Sequence, residues 1–177
     1  MDHGELPVAA VRPQLAGWWL RVAAYVLDQL ILAIPLMLVY FMFLVPVFFA
    51  MAQDPTFRST APVSVAENQR RAQVMMERML PAMFGFFAVA LVVPVAYFSF
   101  FHGWKGQTPG KMAVRIRVVL ENGERISYVR ALIRYLVALA LWFVFYIPGM
   151  IDVLFPLFDE KRQAIHDKAA GTVVVRV

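Results

Sequence analysis

Six residues in this chain have side chains able to handle charge in places where charge is costly: Arg21, Asp28, Arg134, Asp152, His166 and Asp167. An aspartate held away from water binds and releases a proton or a small cation, and an arginine beside it tunes that exchange. Arg21 and Asp28 stand seven residues apart, two helical turns, so they share a face at about 10 Å along the axis, too far for a direct bond on an ideal helix. Arg21 can extend to a polar interface. Asp28 lies deeper in apolar sequence and must face protein or water, either as a proton or cation site or in a structural ion pair with an arginine such as Arg134. Asp152 follows Pro148-Gly149, where freed backbone groups and a carboxylate can together hold an ion, or where the aspartate simply caps the helix after a bend. His166-Asp167 lies in a stretch dense in both charge signs, Asp159 to Ala170, and such a pair either relays protons near neutral pH or serves as a solvated or capping pair.

Other chemistries are poorly supported. There is no cysteine, which excludes a disulfide framework, a thiolate metal site and a cysteine nucleophile. His3, His102 and His166 are too scattered for a metal site. Gly106-Gln107-Thr108-Pro109-Gly110-Lys111 has three residues between its glycines where a phosphate-binding loop needs four, and Met112 follows the lysine instead of Ser or Thr. It reads as a tight turn into a strand. The expectation is therefore no enzyme, no cofactor and no nucleic-acid partner, the net charge of +5 reporting loops near anionic headgroups.

The elements that position these residues are set by composition. Of 177 residues, 61% are apolar and 16% charged, with a mean hydropathy of +0.65. Ordinary soluble domains carry about 25% charged residues. The charge-free runs Gln29 to Gln53, Leu80 to Phe101 and Tyr135 to Ile151 compare with the roughly 20 residues that cross a ~30 Å hydrocarbon core. The first two span, and the third is borderline. The first run is too long for a signal-peptide core and has no basic start, so it reads as an uncleaved helix beginning near Trp18 and Trp19, with Pro35 and Pro46 placed to kink it. Ser64-Val65-Ala66-Glu67 reads as a capping box opening a short helix before the second span.

Met112 to Leu120 alternates Val114, Ile116 and Val118 against Arg115 and Arg117, the period of a strand with one wet face. Asn122-Gly123 predicts a hairpin turn, Ile126 a short return strand, and Ser127 an N-cap for the helix carrying Arg130 and Arg134. Thr172 to Val177 is a third strand candidate. If it pairs beside Met112 to Leu120, Arg130 to Phe158 must enter the membrane and return, bending at Pro148-Gly149. That topology puts thirteen of the 17 lysines and arginines on one side and four on the other, whereas three simple spans divide them nine and eight. Cytoplasmic loops carry the basic excess, so both termini are expected in the cytoplasm.

The fold class expected is an all-α membrane protein over residues 1–177. It has spans at about 18–52 and 80–101, a membrane hairpin at about 130–158, and a small cytoplasmic β element at about 112–127 and 172–177. The chain resembles the RDD family of small bacterial membrane proteins, named for one arginine and two aspartates. The resemblance rests on Arg21 and Asp28, the Gly106 to Lys111 segment with the strand ending Arg117-Val118-Val119, Arg134, and His166 to Val174. It implies that Arg21, Asp28 and Asp167, ahead of Asp152, are the residues of that name, in a multi-pass protein of the bacterial inner membrane. It further implies transport of an unknown ligand, with some members similar to sodium/proton antiporters. The partners expected are the lipid bilayer, a proton or small cation, and further copies of the chain or a larger membrane complex; the alternative is a scaffold or accessory subunit that transports nothing.

Overall fold

The computed structural model describes residues 14–58, 64–144 and 146–177. Arg12, counted among the basic residues above, lies outside them. The elements run α1 (Trp18–Gln53), α2 (Pro55–Arg58), α3 (Val65–Lys105), α4 (Pro109–Ala113), β1 (Ile116–Leu120), α5 (Tyr128–Val144), α6 (Tyr146–Leu154), a 3-10 turn (Phe155–Leu157), α7 (Ile165–Ala170) and β2 (Thr172–Arg176). They form two compact units, residues 27–97 and the remainder of the chain.

The first unit is an antiparallel pair of helices. Along α1 and α3 the partners advance in opposite directions. Tyr97 meets Asp28, the rings of Phe86 and Tyr40 lie 5.9 Å apart, Gly85 faces Phe43, and Arg78 Nη1 donates to the Ala50 carbonyl at 2.9 Å. Gly85 is required at its crossing because a Cβ there would enter the Phe43 ring. At the turn, Asp54 caps α2 through the Thr56 amide at 3.0 Å and pairs with Arg78 at 2.7 Å. The Ser64 hydroxyl accepts from the Glu67 amide at 3.2 Å, as a capping residue should. The helix it opens is not a separate short one but the beginning of α3, since no residue between Val65 and the apolar run breaks the ladder. Both long helices are long and apolar enough to cross a membrane, and only 6% of the most apolar 18-residue window of each is buried. A core helix of a soluble protein would bury most of that window.

The second unit is a small sheet with helices against it. β1 and β2 pair antiparallel, with Val118 opposite Val174. Ile116, Val118 and Val174 face Ala16, Ala24, Ile126 and Ala131, while Val119, Val173 and Val175 face Leu15 on the other side. The expected C-terminal strand forms as β2, whereas the return strand expected at Ile126 is reduced to a single bridge, Val119 with Arg125, and a further bridge joins Leu15 with Val175. The strand expected from Met112 begins only at Ile116. Thr108 caps a helical turn through the Lys111 amide, and Pro109 fits the first turn, where an absent N–H costs nothing. Arg115, at φ 54°, then redirects the chain into the strand. Gly106 has φ 69°, and a Cβ there would also strike the Val118 carbonyl, so this turn demands glycine.

The hairpin expected at about 130–158 is also revised in detail. α6 runs through Pro148-Gly149, so the expected bend is not there, and residue 145 between α5 and α6 lies outside the described residues. Proline is tolerated in the first turn of α6, and Gly149 serves packing: a Cβ there would collide with the Trp142 indole of α5. α5 opens on Ser127, whose hydroxyl accepts from the Arg130 amide at 3.3 Å. Near the far end of α6, the Val153 carbonyl accepts from Trp18 Nε1 at 2.7 Å.

Candidate functional site

Asp167 is the centre of the second unit's charged cluster. Gly171, in the left-handed conformation at φ 63°, ends α7 and turns the chain into β2. The Asp167 side chain bonds back to the Ala164 amide at 3.1 Å, which fixes its orientation at the start of α7. Its two oxygens are then taken by two arginines. Arg21 Nη1 of α1 is 2.7 Å from Oδ2, and Arg134 Nη2 of α5 is 2.6 Å from Oδ1. Thr172 Oγ1 adds a longer contact to Oδ1 at 3.4 Å. The aspartate is completely buried. Burial alone would push its carboxyl up, but the charges of Arg134 and Arg21 and the Ala164 amide prevail and hold it well below the ordinary carboxylate range.

His166 links this cluster to the hairpin. Its Nδ1 is 2.6 Å from Asp152 Oδ2, and its backbone amide donates to Asp152 Oδ1 at 3.0 Å. Nε2 faces Arg134 Nη2 at 3.2 Å and Asp167 Oδ1 at 3.5 Å. A guanidinium only donates, so Nε2 accepts and Nδ1 carries the hydrogen given to Asp152. Asp152, His166, Arg134 and Asp167 thus lie in one continuous line of contacts. Asp152, 1% exposed, bonds the α7 amide and imidazole instead of capping its own helix.

Asp28 is placed differently. It is fully buried, as are Ala24 and Leu32 one turn to either side, and its Oδ1 accepts from Tyr97 Oη at 2.8 Å within the helix pair. About ten residues beyond Trp18, it sits about 15 Å along α1, half the depth of a hydrocarbon core. Arg134, the arginine considered as a partner for Asp28, pairs with Asp167. Arg21 likewise pairs with Asp167 and not with its own helix.

Of the six sequence-derived residues, five therefore meet in one network: Arg21, Arg134, Asp152, His166 and Asp167. Sequence reasoning missed the partners. Tyr97 had a signal, a phenol within an apolar run. Thr172 and Gln163 had none; Gln163 is buried and donates to the Glu121 side chain at 2.7 Å and the Thr172 carbonyl at 2.9 Å. His102 was set aside, yet it is buried, with Nε2 3.0 Å from Lys111 Nζ. The Gly106 to Lys111 segment is structural as read: Gln107 donates to the Ile116 carbonyl at 2.8 Å, and Thr108 caps α4.

The chain matches the RDD family model over residues 15–171. It is 32% identical over 161 residues to the uncharacterized protein YxaI of Bacillus subtilis (strain 168), an alignment covering 90% of this chain and 96% of that one. YckC of the same organism, likewise named uncharacterized, is 26% identical over 161 residues, 90% of this chain and 83% of that one. The uncharacterized protein RP437 of Rickettsia prowazekii (strain Madrid E) is 36% identical over 90 residues, 51% of this chain and 48% of that one. No solved structure matches.

Proposed function

The chain belongs to the RDD family, and from that premise we propose that it is a multi-pass protein of the bacterial inner membrane that moves a proton or small cation across it. The observation that carries this reading is Asp28, the acid about 15 Å along α1 that is fully buried on a helix whose most apolar window is only 6% buried. A carboxylate at that depth is costly unless it is used or paired, and Asp28 Oδ1 accepts from the Tyr97 hydroxyl at 2.8 Å. Asp28 is the proposed carrier. The Asp152–His166 pair is the proposed proton-handling group of the other unit. Asp167 itself is held ionised by two arginines and anchors that pair.

Topology follows the same reading. The N-terminal segment and the last strand are hydrogen-bonded, Ala16 N to the Val174 carbonyl and Arg176 N to the Gln14 carbonyl, both at 2.8 Å. Segments so paired share one side of a membrane, and the basic excess makes that side the cytoplasm. α5 and α6, of 17 and nine residues, would rise about 25 Å and 13 Å as a re-entrant hairpin. Two spans and such a hairpin are too few to wall an aqueous route, so the transporting unit is an oligomer. No catalytic step is assigned to any residue.

A second reading is favoured by the double pairing of Asp167, which joins α1, α5 and α7 and suits a scaffold that transports nothing. The deciding experiment is sodium- and potassium-driven proton flux in vesicles holding the purified chain, compared with Asp28→Asn. Flux lost in a folded D28N supports transport, and no flux from the intact chain supports the scaffold. A reporter fused after Val177 that is active only outside the cytoplasm would overturn the topology.

A further inference from the structure

We propose that the arginine cluster around Asp167 is an oxyanion-binding site centred on Arg21. The inference is independent of cation movement. Arg21 gives only Nη1 to Asp167. Its Nε and Nη2 lie on one edge of the guanidinium, the edge whose parallel N–H groups match two oxygens of a carboxylate or phosphate. Both atoms are buried and have no acceptor among the described residues. Arg134 repeats the pattern: Nη2 serves Asp167 and His166, while Nη1 is buried without an acceptor on a side chain only 7% exposed. Buried donors are ordinarily satisfied, so three such nitrogens in one cluster call for a ligand rich in acceptors.

The local charge has the same sign. Arg134 and Arg162 both act on Arg21, and Asp167 is the carboxylate that answers them. Asp152 is engaged by His166. Arg162 also lines an open cavity of about 470 Å³ with Gln14, Leu15, Glu160 and Arg176. Glu160 opposes an anion there, against two arginines. Arg162 is held at φ 51°, a left-handed conformation unfavourable for a side chain of this kind, with its amide on the Asp159 carbonyl at 2.9 Å. Arg21 lies about 4.5 Å along α1 from Trp18, at the depth of a headgroup layer. A free oxyanion and a lipid phosphate can both reach that level, and both present the same pair of oxygens.

The test is thermal unfolding of the purified full chain in a phosphate-free maltoside detergent. Acetate, inorganic phosphate and chloride are titrated in the millimolar range at equal ionic strength, and phosphatidylglycerol is titrated separately. The intact chain is expected to be stabilised saturably by acetate or phosphate and not by chloride. Arg21→Lys keeps the charge facing Asp167 but has no fork, and should need at least tenfold more ligand; Arg162→Gln should need severalfold more. Saturation by phosphatidylglycerol alone, weakened in the same variants, assigns the site to a lipid phosphate and supports the proposal. No saturable response to any of these, or equal midpoints in the intact chain and the variants, overturns it. Should R21K not fold, an unchanged midpoint in R162Q overturns it alone.

Discussion

Replacing Asp167 with asparagine isolates what the central carboxylate contributes. The side chain keeps its volume, and its carbonyl can still accept from one arginine. The NH2 group, however, must then face the other guanidinium, donor against donor, at a position now 2.6–2.7 Å from nitrogen. Two buried cations lose their counter-charge. Removing one partner of a buried pair costs about 3–5 kcal/mol, because the remaining charge stays desolvated. In a chain of this length each kcal/mol moves the melting temperature by about 2–4 °C, so D167N should melt about 6–20 °C below the parent. The assay is thermal unfolding in detergent, followed by tryptophan fluorescence. The same physics predicts partial recovery in Arg134→Met/Asp167→Asn, since the unpaired cation is then gone; a double-mutant cycle gives the coupling. A D167N chain melting within 2 °C of the parent, or a double variant as unstable as the sum of the singles, would refute the account of the cluster.

Acid should unfasten the same residue: its folded carboxyl is held below the unfolded value of about 3.9, so its contribution is whole above that pH and is lost as pH falls further. Melting profiles against pH should therefore steepen below about pH 4 in the parent and less so in D167N. Gly149→Ala pushes a methyl into the Trp142 ring and should cost about 1–3 kcal/mol, with a smaller loss in a Trp142→Ala background. Thr108→Val removes the α4 cap and should cost about 1 kcal/mol, read as a small fall in melting temperature. Leu15 and Val175 form a non-hydrogen-bonded antiparallel pair, where Cα atoms are about 4.5 Å apart, within disulfide reach. In this cysteine-free chain, Leu15→Cys/Val175→Cys should cross-link on mild oxidation, and a failure to do so in the folded chain would argue against termini on one side.

Local pattern alone determined a good deal. The two long apolar helices, the strand at Val118, the caps at Ser64 and Ser127, and the family signature were legible because run length, two-residue alternation and capping chemistry are properties of neighbouring residues. What misled was also local. Met112 to Ala113 alternate like a strand, but Thr108 and Pro109 start a helix first, and Pro148-Gly149 looks like a bend although Gly149 is there to admit an indole. The charged network was beyond reach of spacing. Arg21 and Asp28 share a helix face but stand too far apart to bond, and spacing offered no other partner for Arg21. Yet Arg21 bonds a residue 146 positions away, brought in by the turn at Gly171 and the pairing of β1 with β2. Sequence fixes which side chains carry charge and how deep on a helix they lie. Which opposite charge each one meets is decided by tertiary packing, because a buried ion takes the partner whose backbone can place it within hydrogen-bond distance.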